Sequence, residues 1–263
     1  MYLGTSKEFC SLLKMALAFR SANFANTGGV SSTNSVGPPA GTADDDILIY
    51  SLARAIVSGA ITWPTGFTEI SDTTHDGGST ACAWKRASSE SGSYQSSWTG
   101  VTRVCGVIFA ISGANTTGTP FTAGTAATGT GTTPDAPNVD PGSSDDRLAM
   151  AICGQEGKGT TRFTAPSGYT LPTSGEGGTT GLGSEDDYCG IGCFYKTYTG
   201  QSENPGTATS SVTDGWAAQT LIFDPQPTAA ITGTATATID EADVVAGGKT
   251  IVTTLTSDTW VAV

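Results

Sequence analysis

The chain writes one loop twice. "ITWPTGFTEIS" at 61–71 returns as "FTAPSGYTLPTS" at 163–174, and each copy sits inside a longer matching series. Between 43 and 113 the order is "DDILIYSL", "TWPTGFTEI", "CAWKR", "SESGSY" and "CGVIFAISG". Between 144 and 225 it is "DDRLAMAI", "TAPSGYTLP", "CFYKT", "SENPGTA" and "AQTLIFDP". Five matched blocks in one order are the mark of an internal duplication, and a duplicated chain must fold as two related halves.

Each block has a local meaning. Pro64-Thr65-Gly66 and Pro166-Ser167-Gly168 read as tight turns, Pro fixing φ and Gly supplying a positive φ, with Phe67 or Tyr169 turning inward. Asp45-Asp46 and Asp145-Asp146 read as turns before a strand, a short acid bonding nearby N–H groups. "ACAWKR" and "GCFYKT" are short strands ending in a cation, and "VCGVIFAIS" and "QTLIFDP" are the most apolar strands of their halves. Four or five strands per half leave a bare apolar face and an unpaired edge. Packing two such halves face to face covers the bare faces.

Composition agrees with strands. Only 14% of residues are charged and there are 35 Gly among many Thr, Ser and Ala, a mixture poor in helix formers. The expected fold is all-β: an internally duplicated antiparallel sandwich over 15–226, jelly-roll-like with eight to ten strands or else immunoglobulin-like. Half-repeats cover about 43–113 and 144–225, joined by a Thr/Gly-rich, partly extended surface crossover at 114–137.

Residues 1–14 read as an arm or leader and not as a secretion signal, because Lys14 and Arg20 interrupt the apolar stretch. Met15, Leu17 and Phe19 then alternate with Ala16, Ala18 and Arg20 as a first strand. At the other end, Pro225 and Pro227 mark a boundary. Residues 227–263 alternate again, with apolar teeth at Ile231, Ile239, Val245, Ile251, Val252, Leu255, Trp260 and Val261. Two or three strands seldom stand alone, so this C-terminal β-hairpin arm is expected to be completed by a second copy of the chain, a head-to-tail contact that propagates. Folding back onto its own sandwich is the alternative.

Twelve Lys+Arg against 24 Asp+Glu give a net charge of −12, which disfavours nucleic acid and anionic membrane as partners. No apolar run approaches the roughly 20 residues that span a bilayer.

Catalytic and metal motifs are sparse. The sole histidine, His75 in "THDGG", reads as an exposed turn, and no GxSxG elbow accompanies it. "AGGKTI" misses the phosphate-loop spacing, with Asp243 where Gly is needed. The six cysteines form no CxxC pair, and they fit either buried thiols or disulfides. Paired acids at 44–46, 145–146 and 185–187 repeat between halves and therefore read as turn formers. Calcium there is the one metal reading left open, without a DxDxDG loop to support it. Asn115-Thr116-Thr117 has the form of a glycosylation sequon, and Trp98 and Trp216 suit either sugar stacking or the core.

"MALAFRS", "PPAGTADDDILIYSL", "ITWPTGFTEIS", "WKRASSESGSY" and "GVIFAISGAN" resemble the recurring pattern of bacteriophage virion structural proteins: a first strand, a P-x-G entry, a P-x-G-[FYW] turn, a [YW]-[KR]-x-A-x-x-x-E block and an apolar strand. The tail "ITGTATATIDEADVVAGGKTIVTTLTSDTWVA" is similar to a segment near the ends of such proteins. The resemblance implies a non-enzymatic, extracellular, self-assembling or decorating subunit of a virion surface, tail or fibre, with no cofactor. A carbohydrate-binding module or adhesin, holding glycan in loops at one end of the sandwich, is the alternative class.

Overall fold

The computed structural model describes residues 16–55, 59–157, 162–178 and 188–227. All of these except Pro227 belong to one compact unit, Met15–Gln226. The apolar teeth between Ile231 and Val261, the arm at 1–14 and the acids at 185–187 lie outside the described residues.

Among the described residues every regular element is a β-strand and every pairing is antiparallel. The first half contributes β1 (Ala18–Asn26), β2 (Ser31–Val36), β3 (Ile47–Arg54), β4 (Thr68–His75), β5 (Gly78–Arg86), β6 (Tyr94–Thr102) and β7 (Val104–Ser112). The second contributes β8 (Phe121–Ala123), β9 (Ala127–Gly131), β10 (Asp135–Ala136), β11 (Asp145–Glu156), β12 (Phe163–Thr164), β13 (Glu176–Gly178), β14 (Cys189–Gly200), β15 (Gly206–Thr207), β16 (Thr209–Ser210) and β17 (Asp214–Phe223).

The duplication is visible in the topology. One large sheet runs β1-β7-β3-β5-β4 and the other β8-β17-β11-β14-β13, with β9 also on β17. The matched sequence blocks place β3 with β11, β5 with β14 and β7 with β17, so the two sheets repeat one strand order. Even the outermost position is filled twice. In the second half the crossover supplies β8 and β9, which pair with Leu221–Phe223 and Asp214–Ala218 as one interrupted edge strand. Its alternating Thr and Gly give a half-exposed strand, with burial alternating residue by residue along β9.

The two sheets face each other, and the central strands are buried on both faces. Along β3, Ile47, Ile49 and Ala53 enter a core shared with Leu148, Met150 and Ile152 of β11, Ile191 and Cys193 of β14, and Leu221 and Phe223 of β17. The intervening Leu48, Tyr50 and Leu52 point the other way, into a separate core closed by Val36, Ile61, Tyr94 and Trp98. The second sheet repeats the division, with Ala149, Ala151 and Cys153 meeting Ala136, Val139, Phe163 and Tyr169. The small sheet β2–β6 lies over the first sheet, and β10–β15 and β12–β16 lie over the second. The expected single sandwich is therefore its centre only; each half carries an outer core of its own. A strand with two buried faces has no polar face, which is why "ILIYSL" and "LAMAIC" read as continuous apolar runs.

Close approach of the sheets requires small residues. A side chain at Gly154 of β11 would place its Cβ 2.0 Å from Thr80 Oγ1 of β5. A cavity of about 10 Å³, room for one water, remains beside this contact, lined by Ser71, Thr80, Cys82, Ile152 and Gln219. Gln219 ties the halves together there: its Oε1 accepts from Ser71 Oγ at 2.6 Å and Cys82 Sγ at 2.9 Å, and its Nε2 donates to Gly124 O at 3.0 Å.

Phe109 is fully buried in the shared core, its ring 5.2 Å from that of Phe19. Phe109→Ala is expected to lower the unfolding free energy by about 3–5 kcal/mol, read as a fall in urea midpoint at unchanged slope. A loss under about 1 kcal/mol would show that this core is not shared as described.

Candidate functional site

The twice-written loop builds the same clip in both halves. Phe67 N–H donates to Pro64 O and Tyr169 N–H to Pro166 O, each at 3.0 Å. Gly66 and Gly168, at φ of 87° and 80°, occupy the position that demands a left-handed residue. The stem of Lys85 lies against Gly66 and that of Lys196 against Gly168. Lys85 Nζ pairs with Glu90 at 2.7 Å, and Lys196 Nζ pairs with Glu203 at 2.8 Å.

A tyrosine closes each clip from a different place. In the first half Tyr94 of β6 donates its hydroxyl to Glu90, while its ring lies 5.1 Å from that of Phe67 and 5.2 Å from Lys85 Nζ. In the second half Tyr169, in the turn itself, donates to Glu203 at 3.2 Å and its ring lies 5.7 Å from Lys196 Nζ. Burial raises the pKa of Glu90, but bonds from Lys85, Tyr94 and the Ser88 N–H outweigh it and hold the carboxyl below its ordinary value. These acid, cation and phenol groups are consumed by one another, an arrangement that fixes a turn to a strand.

The acidic pairs at 44–46 and 145–146 also have protein donors. Asp46 accepts from Arg20 Nε at 2.6 Å and from the Ala43 N–H at 2.8 Å, and Asp44 accepts the Ser89 N–H. Asp145 accepts from Ser143 Oγ and Asp146 from Thr199 Oγ1. Unlike Asp46, they stand within β11 instead of in a turn before it. Among the described residues no three His, Cys, Asp or Glu side chains converge as a metal would require.

Asn115 sits where the ends of the halves meet, its N–H on Asp224 O at 2.9 Å. Its Oδ1 accepts from both the N–H and the hydroxyl of Thr117 at 3.0 Å, and the Thr116 N–H donates to Gln226. Thr116 and Thr117 are exposed. Trp98 and Trp216, 6% and 8% exposed, belong to the two outer cores and offer no ring for a sugar to stack on.

His75 corrects the sequence reading. It is 7% exposed, at the end of β4 where the first half meets the start of β17. A Cβ on Gly215 would fall 2.2 Å from Asp76 O, and one on Gly77 would strike the carboxylate of buried Glu156. Two glycines thus let the "HDGG" turn press into the second sheet, a signal that in sequence looked like an exposed loop. His75 Nδ1 lies 3.1 Å from Asp76 O, so the neutral ring carries its proton there and leaves a buried Nε2 with no hydrogen-bond partner.

Nearby, a polar group that sequence reading missed closes the same end of the second half. Arg162, 2% exposed, donates Nη1 to Gln155 O at 2.8 Å. Gln155 Nε2 in turn donates to Gly131 O at 2.8 Å and Val212 O at 3.0 Å, and the Glu176 carboxylate accepts the N–H groups of Arg162 and Phe163. These bonds bracket loop backbone. Comparison with family models, with curated proteins and with solved structures returned no match.

Burial pushes the His75 pKa below its ordinary value, against smaller raising effects from the Asp76 carbonyl, Asp214 and Asp76. The unfolded chain therefore binds the proton more readily than the folded one. Stability is expected to fall as pH drops below about 6.5, the unfolded value, toward the folded value. Urea midpoints measured from pH 7.5 to 5 should decline in the wild type and much less in His75→Gln. Equal slopes would mean that His75 is not the buried titrating group. The contribution of Glu90 is lost only at lower pH, through and below the ordinary carboxylate range.

Proposed function

We propose that this chain is a non-enzymatic structural subunit that self-assembles into, or decorates, an extracellular particle of the virion surface, tail or fibre type. Residues 227–263 supply the head-to-tail contact between copies. The observation that carries this reading is the state of the sheet edges in the compact unit. β4 has a bulge between Glu69 and Ser71 and carries Glu69 and Asp72. β1 has a bulge between Phe19 and Ser21, with Arg20 at that point. β13 is three residues long, and the opposite edge is broken into β8 and β9. Bulges, charges and short strands are the devices that stop a sheet from recruiting another chain.

The strongest apolar runs of 16–226 are spent inside the three cores, and its repeated charged motifs are spent on the clips. The alternating apolar segment that begins at Ile231 lies outside that unit, and it is the segment to which this reading assigns the contact with a neighbour. The resemblance of its residues to phage structural proteins agrees with this division of labour.

Sedimentation velocity and negative-stain microscopy of the purified full chain should show concentration-dependent rings or filaments. Ile251→Asp combined with Leu255→Asp is expected to leave a monomer whose urea unfolding of the 15–226 unit is unchanged. A full-length chain that stays monomeric, or a double variant that assembles as well as wild type, contradicts the proposal.

A further inference from the structure

We propose that Cys105 and Cys189 form a disulfide that locks the two halves together when the chain folds in an oxidising medium. Cys105 is the second residue of β7 in the first sheet, and Cys189 is the first residue of β14 in the second. Both are fully buried in the shared core, and their Sγ atoms are 3.5 Å apart. A disulfide of about 2.05 Å requires the sulfurs to move only about 1.5 Å closer, the scale of a small χ1 adjustment.

The surroundings favour closure. Cys189 Sγ donates toward Ala53 O at 3.1 Å and lies 3.5 Å from Arg103 O, while Cys105 Sγ reaches Ala53 O only at 3.9 Å, a carbonyl it shares with Cys189. Forming the S–S bond removes both donors from the core. Cys82, by contrast, is engaged by Gln219 and Ser71, and Cys153 faces the second outer core. The bridge would join residues 84 apart in sequence, and closing a longer loop restricts the unfolded chain more than closing a short one.

The oxidant is a small-molecule disulfide. One cysteine thiolate attacks it and releases one small thiol; the second cysteine then attacks the mixed disulfide and releases the other. Two protein thiols and one small disulfide give one protein disulfide and two small thiols. Burial, and after it contact with Cys189, pushes the Cys105 thiol well above its ordinary pKa in the folded chain. The exchange therefore belongs to folding, before the halves close.

The test is to refold the full chain from urea in a mixture of oxidised and reduced glutathione, quench with acid, alkylate and digest without reductant. One cross-linked peptide pair joining Cys105 to Cys189 is expected, with an intact mass about 2 Da lower than the reduced chain, and a urea midpoint that falls on adding reductant. Cys105→Ser and Cys189→Ser should each lose both the cross-link and the reductant-dependent shift. If those variants fail to fold, the peptide map of the wild type decides alone. Alkylation of both residues, glutathione retained on either, or cross-links to Cys10 or another cysteine in their place would overturn the proposal.

Discussion

Burial of both faces of the central strands is the constraint from which the rest of the structure follows. β3, β7, β11 and β17 send alternate residues into a core common to the two halves and the intervening residues into a core private to each. No strand in that position can carry charge except at its end, so Arg54 stands at the last residue of β3. There it is held by Ser79 Oγ at 2.8 Å and the Asp72 carboxylate at 2.9–3.0 Å. Buried ions are tolerated only with partners of this kind. The sheets must also come close, which explains why Gly154 faces Thr80 and why a neutral side chain, Gln219, bonds across the seam beside that contact.

The clips solve a second problem created by the same arrangement. An outer core is covered by short sheets and loops, which bury less area than a full sheet would. Each half pins its covering turn to a central strand through a lysine stem packed on a glycine and a carboxylate that the lysine and a tyrosine share. The tyrosine comes from β6 in one half and from the turn in the other, so the bonding arrangement is preserved although its source changes. Duplicated blocks thus encode the arrangement of groups, not the same residue at each point.

Much of this was legible in the residues. The repeated blocks fixed the strand equivalences, the P-x-G-aromatic turns had the geometry their residues require, and unbroken runs such as "VCGVIFAIS" marked strands without a polar face. The three-core division was not legible, because a continuous apolar run says that both faces are buried without saying against what. The partly extended character of the crossover was legible, but not the strand it pairs with, because alternating Thr and Gly carry no sign of their partner. His75 was misjudged since "HDGG" is turn chemistry whether the turn meets water or another sheet. Arg162 and the Cys105–Cys189 contact depend on which faces oppose across the seam, a long-range fact without a local signature.

The central claim is that the halves share one core and stand or fall together. Native-state hydrogen exchange of the full chain in low urea, resolved by strand, tests it most directly. The account predicts that the slowest amides of β3 and β7 and those of β11 and β17 open with one common free energy and one urea dependence. Exchange of either pair through a lower-energy opening, with the other pair still protected, would contradict it.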